Sequence, residues 1–201
     1  IRLAYFNHDT AHSRSAQIFV EKFANENNLD MFIGKIKGIK GKRSLEEFWR
    51  DERYAFFERI NTNFLITCHH LDDAVETWVM SAMHGQCKLI PYKRGENIRR
   101  PFLMTSKKII KEYSERKGVN WVEDPTNSRT EYIRNHVRHS LMPGILKVNP
   151  GIRTMIRKKI IETYRSEIAT MQRIMETINN DNLKQIVPVI QHDTEYFNEG
   201  V

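Results

Sequence analysis

At 201 residues the chain is long enough for one domain with a buried core and a small appendage. Apolar residues make up 40%, with no run near the roughly 18 residues of a membrane span, and two cysteines, Cys68 and Cys87, exclude a disulfide scaffold and leave a reducing compartment as the default. The net charge of +7 is unevenly spread: Lys88 to Arg165 holds 19 basic against 7 acidic residues, a net of +12, while the remainder carries −5. Such a concentration suits a polyanion, because each neutralised phosphate releases counterions, although a solvated Lys-rich helical surface has the same composition.

The first half alternates strand and helix. Leu3 to Phe6 reads as a strand ended by Asn7-His8-Asp9. A helix over Ser15 to Asn27, with Ser13 as N-cap, carries Ile18, Phe19, Phe23 and Ala24 on one stripe. Met31 to Ile33 resumes a strand before a Gly/Lys-rich loop from Gly34 to Lys42. Ser44 with Glu47 three residues on opens a helix to about Ile60, with Leu45, Phe48, Trp49, Ala55 and Phe56 inward. Phe64 to Cys68 reads as a buried strand and Leu71 to Met83 as the helix after it. Strands alternating with helices predict parallel pairing and an α/β fold.

Beyond Gly85 a basic loop leads to Arg100-Pro101, then a helix from Ser106 to Lys117 closed by Gly118. The turn Asp124-Pro125-Thr126-Asn127 precedes a basic helix from Tyr132 to Leu141. A long helix from Pro150 to about Asn179 has apolar residues every three or four positions, a packing seam rather than a functional stripe. Ile186 to Ile190 reads as an edge strand. The division expected is an α/β domain over residues 1–144, with the long helix and a short extension over 145–201.

Chemistry concentrates in Thr67-Cys68-His69-His70-Leu71-Asp72-Asp73-Ala74-Val75-Glu76-Thr77, where a strand ends and a helix begins. Ligands of open α/β sheets bind at such strand ends. Asp73 and Glu76 share a face of the first helical turn, a spacing that serves Mg²⁺ with triphosphate oxygens or the ammonium of an amine. His70 beside them suits a phosphate or a proton in transit. First-turn carboxylates also favour the helix dipole, and Asp72 reads equally as a cap. A strand end has no evident structural need for two adjacent histidines, which tips the balance toward chemistry. On a strand they point to opposite faces and do not chelate one metal easily.

H-H-x-D-D-x-x-E-T resembles the signature of the tRNA(Ile)-lysidine synthetases, members of the PP-loop ATP-pyrophosphatase superfamily. Further matches run in order along the chain. Asn7-His8 resembles the family's N-H, Leu45 to Tyr54 its L-E-x-x-x-R-x-x-R-Y helix, and Arg100-Pro101-Phe102-Leu103 its R-P-L-L. Trp121 to Asn127 resembles W-x-x-D-P-[ST]-N, and Tyr132 to Arg138 resembles Y-x-R-N-x-x-R.

The resemblance implies an incomplete PP-loop α/β sheet with helices on both faces and a helical C-terminal part. It implies a ligase that adenylates the wobble cytidine of tRNA(Ile) with ATP and then lets free lysine displace AMP. His70, Asp73 and Glu76 are the implied catalytic residues, His69 and His70 nucleotide-binding, and Asp73 and Glu76 the Mg²⁺ carboxylates. Arg50, Arg100, Asn127, Arg134, Asn135 and Arg138 are the implied contacts to tRNA and phosphate. Arginine suits these places because its planar fork reads a phosphate or base edge bidentately. Lys107, Lys108 and Lys111 fit the tRNA backbone or a solvated face.

Two departures matter. The family's S-G-G-x-D-S loop, which cradles pyrophosphate, does not occur in the sequence, and His84-Gly85-Gln86-Cys87 stands where the family shows R-G. The expectation is that the P-loop and central strand either arrive on a second polypeptide, as in a split enzyme, or belong to a longer chain of which these residues are a piece, in the cytoplasm or an organellar matrix, with no membrane. A non-catalytic tRNA-binding or assembly module and a general phosphate-binding α/β protein are the other readings. The thiolating branch of the superfamily generally carries C-x-x-C pairs, which Cys68 and Cys87 do not form.

Overall fold

The computed structural model describes residues 1–60, 62–124 and 133–180. The chain divides into two compact units, residues 1–63 with 121–126, and residues 64–120 with 127–201.

In the first unit β1 (Arg2–Asn7) pairs in parallel with β2 (Asp30–Lys35), in register from Arg2 opposite Asp30 to Asn7 opposite Lys35. The helices α1 (Ala11–Glu26) and α2 (Leu45–Arg59) cover opposite faces, as side-chain alternation requires. On one face the Tyr5 hydroxyl donates to the Ser13 carbonyl of α1 at 2.7 Å, and Asn7 Nδ2 donates to Gln17 Oε1 at 2.7 Å. On the other, Phe6 and Phe56 meet at 5.7 Å between ring centroids, with Ile60 completing a small core. Gly34 makes this approach possible: a Cβ there would lie 2.5 Å from the Phe56 ring and 2.8 Å from Phe6.

The α1 N-cap is Thr10 rather than Ser13. Thr10 Oγ1 accepts from Ser13 N–H, and Ser13 Oγ accepts from Thr10 N–H, so the expected cap is the third residue of a capping box. Ile18 and Phe23 are exposed, so the inward stripe of α1 reduces to Ala24 and its half-buried neighbours. In α2, Ser44 caps as expected, Phe48 and Phe56 are buried, and Leu45 is exposed.

In the second unit β3 (Leu65–Ile66) pairs in parallel with β5 (Ile98–Arg99), which pairs antiparallel with β4 (Lys93–Arg94). The expected buried strand over Phe64 to Cys68 is therefore a two-residue edge strand, with Phe64 and Ile66 exposed. β1 and β3 belong to different sheets, and a short hairpin replaces the expected basic loop. α3 (Leu71–Ala82) follows β3, a 3₁₀ turn covers Pro101–Met104, and α4 (Lys107–Arg116) starts from its Ser106 cap. Gly118, at φ +64°, takes the left-handed turn that ends α4.

The basic helix begins as α5 (Ile133–His136), winds as a π-helical turn over Val137–Leu141 and continues as α6 (Met142–Val148). α7 (Ile152–Asn180) departs from helical geometry at Tyr164. The core gathers Leu71, Ala74, Val75 and Val79 of α3, Leu103, Val137, and Ile152, Ile156 and Ile160 of α7. Each fully buried aliphatic contributes about 1.5–3 kcal/mol, so the α7 seam holds α3 in place. The expected turn at Pro125 to Asn127 and strand at Ile186 to Ile190 lie outside the described residues.

Candidate functional site

The site is built on the first turn of α3. His70 is its N-cap: His70 Nδ1 accepts from Asp73 N–H at 3.3 Å, and His70 N–H donates to Asp73 Oδ2 at 3.0 Å. Histidine thus does have a structural need at this strand end, contrary to the expectation from sequence. Because Nδ1 accepts a hydrogen bond, the neutral ring carries its proton on Nε2. His69 is half-buried, with Nδ1 3.2 Å from Thr67 Oγ1.

Glu76, one turn on, is 3% exposed and gripped by both prongs of Arg138, Nε to Oε1 at 2.7 Å and Nη2 to Oε2 at 3.0 Å. The Glu76 hydrogen bond raises the already high pKa of Arg138, against the opposing pull of burial. Arg134 donates to Thr77 Oγ1 at 3.3 Å. Arg134 Nη1 and Arg138 Nη2 stand 3.9 and 3.8 Å from Asp73 Oδ1. Spacing on the 133–141 segment therefore does bring two guanidinium groups to one point, opposite two carboxylates.

Asp72, which the sequence offered as a cap, has a larger part. Oδ2 accepts from Lys107 N–H, the first residue of α4, at 2.8 Å, and Oδ1 accepts from Arg153 Nε of α7 at 2.9 Å. Burial pushes its pKa up, but the Lys107 and Arg153 hydrogen bonds outweigh that and hold it below the ordinary value. One carboxylate thus ties α3, α4 and α7 together. Arg153 went unnoticed in the sequence, where only its place on the α7 face toward Asp72 would have marked it.

Arg100 is 2% exposed and donates from Nη1 to the Pro91 carbonyl at 2.6 Å, and Asn135 is also buried. Both side chains are enclosed by protein in this fold. Arg50 lies exposed on α2 in the first unit, and Asn127 lies outside the described residues.

The Mg²⁺ expected at Asp73 and Glu76 does not fit this arrangement. Both Glu76 oxygens are taken by Arg138, and the remaining oxygen, Asp73 Oδ1, faces two guanidinium groups. Among the described residues no group of three His, Cys, Asp or Glu side chains is placed to hold a metal ion.

In the first unit the end of β1 is also organised. Asn7 is buried, and its Oδ1 accepts from Asp9 N–H at 2.7 Å and Ser13 Oγ at 2.8 Å, which holds Asp9 at φ +59°. The His8 ring lies 5.1 Å from those of Phe6 and Trp49, and desolvation, reinforced by Arg53, lowers its pKa to about 4. His12 Nε2 is 4.0 Å from Asp124 Oδ1.

Together these features define an α/β domain whose polar residues gather where strands hand over to helices. Residues 1–145 match the PP-loop domain profile, and the chain belongs to that family. It is 37% identical over 163 residues to the tRNA(Ile)-lysidine synthase of Persephonella marina, covering 76% of this chain and 36% of that protein. It is 29% identical over 201 residues to the bifunctional protein TilS/HprT of Listeria innocua, covering 92% of this chain and 31% of that one. The chain thus spans about a third of the length of these relatives. The solved structure of the U34-tRNA thiolase NcsA from Methanococcus maripaludis, with its [4Fe-4S] cluster, superposes with a TM-score of 0.64 at 15% identity, over 82% of this chain and 62% of that one. That likeness concerns the fold. The PP-loop fold expected from sequence is the fold found, and no described helix is long and apolar enough to cross a membrane.

Proposed function

We propose that this chain is the substrate-gripping part of a tRNA(Ile)-lysidine synthetase-type ligase that uses ATP and free lysine. The observation that carries the reading is the α3 cluster, in which Asp73 and Glu76 face Arg134 and Arg138 within hydrogen-bond and ion-pair reach. Support comes from the PP-loop family match and from relatives named as lysidine synthases.

In this reading the C2 oxygen of cytidine attacks the α-phosphorus of ATP and pyrophosphate leaves. The lysine ε-ammonium then gives one proton to solvent, the free amine attacks C2, the C–O bond breaks as AMP departs with that oxygen, and a second N–H proton passes to solvent. Arg134 and Arg138 meet phosphate charge, while Asp73 and Glu76 receive the lysine ammonium as Arg138 turns to the phosphate. An ion pair of this kind can exchange partners when a substrate cation arrives. His70, with its proton on Nε2, donates to a phosphate oxygen. Asn127 and the exposed Arg50 contribute further RNA contacts. Residues 1–144 act as the adenylating domain and 145–201 as its helical extension. ATP's pyrophosphate is cradled by an S-G-G-x-D-S loop on another stretch of polypeptide, in the cytoplasm or an organellar matrix.

The test is incorporation of labelled lysine into tRNA(Ile) by this chain with ATP and a polypeptide bearing that loop. Incorporation that Asp73→Ala abolishes supports the ligase. Absence of incorporation, with tRNA binding intact, leaves a binding module instead.

A further inference from the structure

The basic loop after β2 lies outside the cationic stretch at residues 88–165 and takes no part in the α3 cluster. From residue 35 to 43 the sequence reads Lys-Ile-Lys-Gly-Ile-Lys-Gly-Lys-Arg, five cations without one carboxylate. Such runs are often mobile solvated segments, but this one is anchored on both sides. At its base, Glu52 Oε2 of α2 accepts from the N–H groups of Lys37 and Gly38, each at 3.0 Å. Across its neck, Arg43 donates from Nη2 to the Ile39 carbonyl at 2.9 Å and from Nε to the Lys40 carbonyl at 3.2 Å. Arg43 is itself fixed by Asp51 at 3.0 Å and by the Phe48 ring, 5.0 Å from its guanidinium carbon. Gly41 turns the apex at φ +57°.

The two nearby carboxylates are thereby spent, Glu52 on main-chain N–H groups and Asp51 on Arg43. Lys35, Lys37, Lys40 and Lys42 are exposed, and among the described residues none of them is ion-paired. Lys40 Nζ also donates to the Arg43 carbonyl at 2.7 Å, and a loop held in this shape, with Lys35, Lys37 and Lys42 exposed beside it, loses little conformational entropy when it meets a polyanion. It leaves the carboxyl end of β2, the side of an α/β sheet where ligands gather. Its single exposed apolar side chain, Ile39, gives a lipid surface too little to bury.

We infer that the Lys37–Lys42 loop is a preorganised contact for the phosphodiester backbone of RNA. The inference rests on the proposed RNA substrate and adds where its backbone is held.

The probe is a stem-loop RNA with the sequence of a tRNA anticodon arm, bound by the full chain and followed by anisotropy through a salt titration. The combined variant Lys37→Ala, Lys40→Ala, Lys42→Ala is expected to lower the slope of log K against log salt by about 2–3, since each lost phosphate contact removes roughly 0.7–0.9. Lys22→Ala, remote on α1, is expected to change it by less than about 1. Gly38→Ala would place a Cβ 2.5 Å from Glu52 Oε1 and displace the pinning carboxylate while keeping every lysine. It is expected to weaken binding about threefold to tenfold with the slope retained, because the loop must then order on binding. An unchanged slope in the triple variant overturns the inference, as does failure of the wild-type chain to bind RNA. So does an effect seen only on phosphatidylserine vesicles. If the slope falls as expected but no lysine is incorporated, the loop assignment stands and the ligase reading falls.

Discussion

Replacing Arg138 by Ala strips both hydrogen bonds from Glu76, whose side chain is 5% exposed. Removing one partner of a buried pair costs about 3–5 kcal/mol, chiefly because the other charge is left desolvated. The Arg138 side chain is 26% exposed, so some water reaches the pair and a smaller cost, about 2–4 kcal/mol, is the expectation. Against a total stability of about 5–15 kcal/mol, this is large enough to read by urea denaturation at neutral pH. Glu76→Gln with Arg138→Met removes both charges and should recover at least about 1 kcal/mol relative to Arg138→Ala, since no ion then remains buried. If Arg138→Ala shifts stability by less than about 1 kcal/mol, the pair is solvated and its part as a preformed grip fails.

Three further outcomes follow from the geometry. Asp72→Asn weakens the Arg153 and Lys107 bonds; because the Asp72 pKa is lowered in the fold, its stabilisation is present above the ordinary carboxylate range and lost as pH falls below it, so the variant's unfolding free energy should fall less steeply below about pH 4. A slope identical to wild type in acid would refute the assignment. His8, depressed to about 4 chiefly by desolvation, binds a proton in the unfolded chain before it does in the fold, so stability should decline as pH falls from about 6.5 toward 4, by about 1–2 kcal/mol once discounted for its half-exposed ring. His8→Phe should flatten the acid limb, followed by circular dichroism melts across that range. Gly34→Ala overpacks the Phe6–Phe56 contact and should cost about 1–3 kcal/mol, whereas Gly144→Ala, where an added Cβ meets nothing, should not destabilise by thermal melt.

The sequence by itself determined the class of fold and the residues of the α3 cluster. Strand–helix alternation is written in local apolar periodicity, and Asp73 and Glu76 share a helical face beside His70, whereas Arg134 and Arg138 are marked by the family resemblance. Caps proved less legible, because Thr10 and Ser13 are chemically alike and only backbone geometry selects which begins α1. Strand length was overestimated at Phe64 to Cys68, since apolar content marks a strand but hydrogen-bond partners decide its extent. What only the tertiary structure decided is how charges pair over long separations. Glu76 with Arg138 and Asp72 with Arg153 are 62 and 81 residues apart, and no local pattern links them. Such pairs are chosen by packing of α3 against α7 and the 133–141 segment, which makes Arg138 a carboxylate's partner in the resting fold and Asp72 the tie among three helices.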